Sequence, residues 1–176
     1  MTKIILIGMK SSGKTTTGTE LSKKLNVNFI DADREIEKTH FKKKKEQLGF
    51  REIFQKYGRE YFRNLEVETL ERLSYDLKDS SFVLATGGGM PLNKSNQEIL
   101  QKMGTVIFLD IDETVLLPRI LSLGMPAFFP YPNDPQRSLS ELLDVRRPIY
   151  TNIADMTIKF SIEFPETLVN QILSKL

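Results

Sequence analysis

Eight residues near the start of the chain, Gly8-Met9-Lys10-Ser11-Ser12-Gly13-Lys14-Thr15, match the pattern G-x-x-x-x-G-K-[ST] in full. The pattern demands a local fold: a buried strand before it, a helix after it, and a turn between them. Successive backbone N–H groups of that turn ring polyphosphate oxygens at the positive end of the helix. Both flanks meet the demand. The segment KIILIG, ending at Gly8, is a short β-branched apolar run, which reads as a buried strand. From Lys14 onward, Gly18, Leu21 and Leu25 share one helical face until Asn26 closes it. Gly8, Lys10, Ser11, Ser12, Gly13, Lys14, Thr15 and Thr16 are therefore the expected nucleotide-binding residues. Lys14 is expected to reach the β- and γ-phosphates, and the Thr15 hydroxyl to ligate Mg²⁺. ATP or GTP is the expected ligand.

The same alternation of element types continues along the chain. Short apolar runs at 27–30, 81–85, 105–109 and 156–160 read as further strands. Helical spacing covers 34 to about 54, 59–77, 91–103, 112–123, 139–153 and 166–176, with Pro148 expected to kink or restart the second last of these. Pro126, Pro130, Pro132 and Pro135 make a loop of the stretch around them, long enough to act as a lid over 123–137. Five strands separated by helices predict an α/β protein, a P-loop three-layer sandwich with a five-stranded parallel sheet, helices on both faces and a lid loop. Residues 1–176 are expected to form one domain, which that length allows without a disulfide or structural metal.

Composition removes several other chemistries. There is no Cys, hence no disulfide scaffold, thiol nucleophile or thiolate metal site, and one His excludes a multi-histidine zinc centre. No run approaches the ~20 apolar residues of a membrane span, and the start carries no secretory signal pattern, so a cytoplasmic protein is expected. A net charge of +2 gives no reason to invoke nucleic acid. Lys42 to Lys45, flanked by Glu35, Glu37 and Glu46, reads as a solvated helix face, and His40 has no evident partner.

In open parallel sheets, ligands bind beyond the carboxyl ends of the strands. The second strand brings Asp31 and Asp33 to that rim, and the third brings Thr86, Gly87, Gly88 and Gly89. One carboxylate suits a metal shell and the other suits proton acceptance from a hydroxyl; a helix N-cap before Arg34 accounts for them as well. The glycines allow close approach of an oxyanion or a hydroxyl-bearing ring. Arg63, Arg146 and Arg147 read by themselves as salt-bridged helix residues, and they matter for binding only if the substrate carries a carboxylate.

Taken in order, these motifs resemble the shikimate kinase family. The likeness spans the P-loop, Phe29-Ile30-Asp31-Ala32-Asp33, Glu52-Ile53-Phe54, Glu60-Tyr61-Phe62-Arg63-Asn64-Leu65-Glu66, Thr86-Gly87-Gly88-Gly89 and Arg146-Arg147-Pro148-Ile149-Tyr150. The resemblance implies ATP-dependent phosphorylation of shikimate with Mg²⁺, in a monomer. It implies Lys14 and Asp33 as catalytic residues, with Asp33 the base, and Thr15 and Asp31 on the metal. It implies a substrate site of Asp33, Phe54, Phe62, Arg63, Gly87, Gly88, Gly89 and Arg146, reached through helices within 34–77, and an adenine site at Arg119 and Pro165. Two departures stand out. Ser11 occupies a position that is usually Gly. Met125-Pro126-Ala127 replaces a lid Arg-Pro-Leu, leaving Lys10, Arg137 or Arg147 to supply the missing charge. That lid keeps two alternatives open: a kinase of another hydroxy acid or polyol, and a nucleotide-binding regulatory protein without turnover.

Overall fold

Ile4, Ile5, Leu6 and Ile7 are fully buried because their strand is the middle one of the sheet. The computed structural model describes residues 1–126, 128–161 and 165–176. Among these, β1 (Lys3–Ile7), β2 (Asn28–Asp31), β3 (Phe82–Ala85), β4 (Thr105–Ile111) and β5 (Met156–Phe160) pair in parallel throughout, in the order β2-β3-β1-β4-β5. The helices are α1 (Lys14–Leu25), α2 (Ala32–Lys44), α3 (Phe50–Asp76), α4 (Lys94–Met103), α5 (Glu113–Leu121), α6 (Pro135–Ile153) and α7 (Pro165–Leu173). None of them is long and apolar enough to cross a membrane.

The strand order decides where a ligand fits. β1 connects through α1 to β2 on one side, whereas the neighbouring β3 connects through α4 to β4 on the other. Right-handed crossovers running in opposite directions put α1 and α4 on opposite faces. They also open a crevice between the carboxyl ends of β1 and β3. Leu6 is level with Ala85, and the Thr86 N–H donates to the Leu6 carbonyl at 3.1 Å, so the P-loop and the glycine run leave the sheet side by side. Helix α7 packs on α1, and α3 packs on α4.

Several boundaries differ from those the spacing predicts. The polar stretch from 34 does not run to 54. Helix α2 stops where Lys45 turns left-handed (φ 59°), and α3 starts at Phe50 after a short connection. Lys42, Lys43 and Lys44 thus form the last turn of α2, where cations suit the negative end of the helix. Helix α3 is interrupted at Gly58 (φ 81°, ψ 176°), which lies between the two predicted helices. At 91–103, a single 3₁₀ turn (Met90–Leu92) precedes α4, because the Asn93 side chain caps the new helix through the Ser95 N–H. Pro148 does not break α6. The carbonyl freed by its missing N–H belongs to Asp144, an exposed residue, so the helix continues without a buried unpaired group there.

Candidate active site

The phosphate cradle is built by backbone angles. Gly8 (φ 143°) passes so close to β4 that a Cβ would meet the Leu109 carbonyl oxygen at 2.7 Å, and Gly13 (φ 87°) turns the chain into α1. Ser11 takes a left-handed φ of 66°, a conformation that glycine adopts at no steric cost. Its Oγ is buried with no hydrogen-bond partner, an orphaned hydroxyl inside the cradle. Lys14 Nζ donates to the Gly8 and Met9 carbonyls at 3.0 and 2.7 Å. Burial pushes its pKa down to about 8, against the opposing pull of Asp33 and Asp31.

Strand β2 passes into α2 with no loop between them, and this places the two aspartates. Asp31 is the N-cap: its Oδ1 accepts the Asp33 N–H at 3.0 Å, while its Oδ2 accepts the Thr15 hydroxyl at 3.3 Å. The cap and the pairing with Thr15 are thus one residue's two oxygens. Asp33, in the first turn, carries a pKa raised to about 6. Burial is the main cause, then Asp31, with Glu37 adding and Lys14 and Arg51 opposing. A hydroxyl and a carboxylate oxygen form a hard donor set that suits Mg²⁺. No group of three or more His, Cys, Asp or Glu that could hold a metal ion occurs among the described residues.

The glycine run touches every part of this assembly. A Cβ on Gly87 would meet Asp33 Oδ1 at 2.7 Å, one on Gly88 the Lys10 backbone N at 2.9 Å, and one on Gly89 Arg63 Nη2 at 2.7 Å. Three successive glycines thus lie one against Asp33, one against the P-loop and one against Arg63. Arg63 is held by Glu66, Nη1 to Oε2 at 2.5 Å. Phe54 and Phe62 stand edge to face, centroids 5.6 Å apart, one exposed and one buried. Arg146 reaches the P-loop from α6, its Nη1 3.6 Å from Met9 Sδ.

Not every expected residue joins. Thr16 is exposed on the first turn of α1. Arg119 is exposed at the end of α5 and Pro165 opens α7, on separate elements that follow β4 and β5. Of the cations expected to compensate for the lid, Arg137 pairs with Glu141 at 2.9 Å and stacks on Tyr131. Arg147 pairs with Asp110 and Glu113 at 2.9 and 2.8 Å. Lys10 faces Asp33, which opposes the lowering of its pKa by burial and by Arg51. Of the lid triplet, Met125 is half exposed and Ala127 lies outside the described residues.

Other residues gain a place that sequence reasoning missed. Glu66 is buried to 2% exposure behind Arg63. The Tyr150 hydroxyl donates to the Gly88 carbonyl at 2.6 Å, its pKa pushed up to about 12 by burial. Glu66 and Tyr150 close the segments 60–66 and 146–150, where a carboxylate and a hydroxyl were the available signals. His40 is fully buried, its Nδ1 2.9 Å from Tyr61 Oη and its ring edge-on to Tyr57.

A model of the family described as shikimate kinase matches residues 10–176. This chain belongs to the shikimate kinase family. The shikimate kinase of Aquifex aeolicus is 36% identical over 174 residues, covering 99% of this chain and 95% of that relative. The shikimate kinase of Caldanaerobacter subterraneus is 36% identical over 173 residues, covering 98% and 95%. Among solved structures, shikimate kinase from Acinetobacter baumannii in complex with shikimate superposes with a TM-score of 0.86 at 30% identity, covering 99% of this chain and 92% of that one. Shikimate kinase from Bacteroides thetaiotaomicron gives 0.82 at 28% identity, with 99% of both chains covered. Membership of the shikimate kinase family makes this an ATP-dependent phosphotransferase.

Proposed function

We propose that this protein transfers the γ-phosphoryl group of ATP to a ring hydroxyl of shikimate. One observation carries the reading beyond family membership. The Asp33 carboxylate and the Arg63 guanidinium flank the same side-chain-free wall, Gly87 to Gly89, so a proton acceptor and a carboxylate grip face one small space beside the P-loop.

The P-loop amides and Lys14 hold the phosphates, and Thr15 with Asp31 holds Mg²⁺. The ion, when bound, offsets phosphate negative charge. Arg63 and Arg146 grip the substrate carboxylate, Gly87 to Gly89 lie against the ring and Phe54 and Phe62 wall it. Asp33 accepts the proton of the attacking hydroxyl as its oxygen bonds to the γ-phosphorus and ADP leaves; Asp33 then loses that proton to water. Lys10 supplies the charge that a lid arginine would bring. Arg119 and Pro165 are assigned to the adenine.

The test is ADP release with ATP and Mg²⁺, with and without shikimate. Saturable, shikimate-dependent release is expected, and Asp33→Asn should lower turnover at least 10³-fold with nucleotide affinity nearly unchanged. Failure of shikimate to stimulate release from protein that binds ATP would overturn the reading.

A further inference from the structure

The two arginines assigned to the substrate carboxylate are held in opposite ways. Arg63 is neutralised in part by Glu66. Arg146 has no carboxylate within ion-pair distance among the described residues; its neighbours include Met9 sulfur at 3.6 Å and the ring of Phe128, 5.4 Å from the guanidinium carbon. An aromatic face attracts a guanidinium and fixes its plane while leaving its charge for a ligand.

Phe128 is itself firmly placed. Its neighbour Phe129 is buried to 5% exposure, and the two rings meet edge to face at 5.4 Å. Just beyond, the Tyr131 N–H donates to Ser138 Oγ at 2.9 Å and the Ser138 hydroxyl donates to the Tyr131 carbonyl at 2.8 Å. This part of the loop is thus bound to α6, the helix that carries Arg146.

We propose that Phe128 is a positioning residue for the reaction, its ring orienting the Arg146 guanidinium that takes the acceptor's carboxylate. This rests on the shikimate reading above. The loop that lacks an arginine for the phosphates thereby serves the acceptor side through an aromatic ring. An acidic residue in that place would hold Arg146 equally well but compete with the substrate for it.

Steady-state kinetics of Phe128→Leu and Phe128→Trp test the idea beside the unaltered protein. Leu keeps apolar bulk and loses the π face, and the expected result is a KM for shikimate about three- to thirtyfold higher, with kcat and the KM for ATP within about twofold. Trp keeps the π face and should restore the KM. As the chain has no other Trp, its emission should respond to shikimate with a midpoint matching that KM. Shikimate methyl ester, measured as a competitive inhibitor, should bind the Leu variant and the unaltered protein equally, since it presents no carboxylate charge. An unchanged KM in Phe128→Leu, a Trp variant as impaired as the Leu variant, or a penalty that persists with the ester would overturn the proposal. Absence of shikimate-dependent release from the unaltered protein would instead overturn the functional reading beneath it.

Discussion

Asp33 shows how much a single carboxylate can be shaped by what surrounds it. Burial, then Asp31 and Glu37, raise its pKa against the opposing pull of Lys14 and Arg51, and the balance stands at about 6. If Asp33 is the base, kcat/KM falls as pH drops through about 6, because that ratio reports the free enzyme. Glu37→Gln removes a raising charge and should shift this acid limb to lower pH. Arg51→Gln removes a lowering one and should shift it to higher pH. Equal limbs in the two variants would remove Asp33 from the base role. The same shift affects stability. A carboxyl whose folded pKa lies above its ordinary 3.8 binds its proton first in the folded state. Its destabilising effect is therefore full above about pH 6 and fades as pH falls toward 3.8. Asp33→Asn should accordingly raise neutral-pH stability by about 3 kcal/mol while abolishing turnover, read from thermal melts beside the assay.

At the scale of elements, the site is a junction of three strand ends and one long helix. Gly88 lies where β3's loop passes the P-loop, with no space for a methyl group before the Lys10 backbone N at 2.9 Å. Gly88→Ala should push the two apart and lower kcat/KM about 10²-fold, with circular dichroism unchanged. Glu66→Gln should free Arg63 and raise the KM for shikimate about tenfold with a smaller effect on kcat. The P-loop, both aspartates and the glycine run were legible before the structure because local patterns place them at strand ends, whereas Arg63, inside α3, was marked out only by the family resemblance. The Arg63–Glu66 pair follows from its i,i+3 spacing, but the partners of Tyr150 and His40 were not legible. Tyr150 meets Gly88 across 62 residues of chain, and no periodicity encodes such a meeting. The break between α2 and α3 was hidden too, since Lys45 has no intrinsic preference for a left-handed turn and adopts it to bring α3 back along α2. The ion pairs of Arg147 to Asp110 and Glu113 cross between elements and were hidden as well, whereas Arg137–Glu141 is an i,i+4 pair within α6 that helical spacing allows.

For the whole molecule, nucleotide binding and folding are linked, because the cradle exists only when β1, α1 and β4 are assembled around Gly8. ATP with Mg²⁺ at about a hundred times its dissociation constant should stabilise the folded state by about 2.7 kcal/mol, a rise in Tm of roughly 5–10 °C. Lys14→Met should abolish most of that rise. The central position of β1 has a further consequence, for how the chain comes to fold. Lys3 aligns with Phe82 and Ile4 with Thr105, so both edges of the earliest strand await partners made much later. During synthesis at the ribosome, β1 must remain unpaired until β3 and β4 have emerged, its isoleucines exposed to any chaperone that captures apolar segments. High contact order of this kind slows folding. The geometry that sets the crevice beside the first strand also makes that strand's sheet pairing wait on the later two.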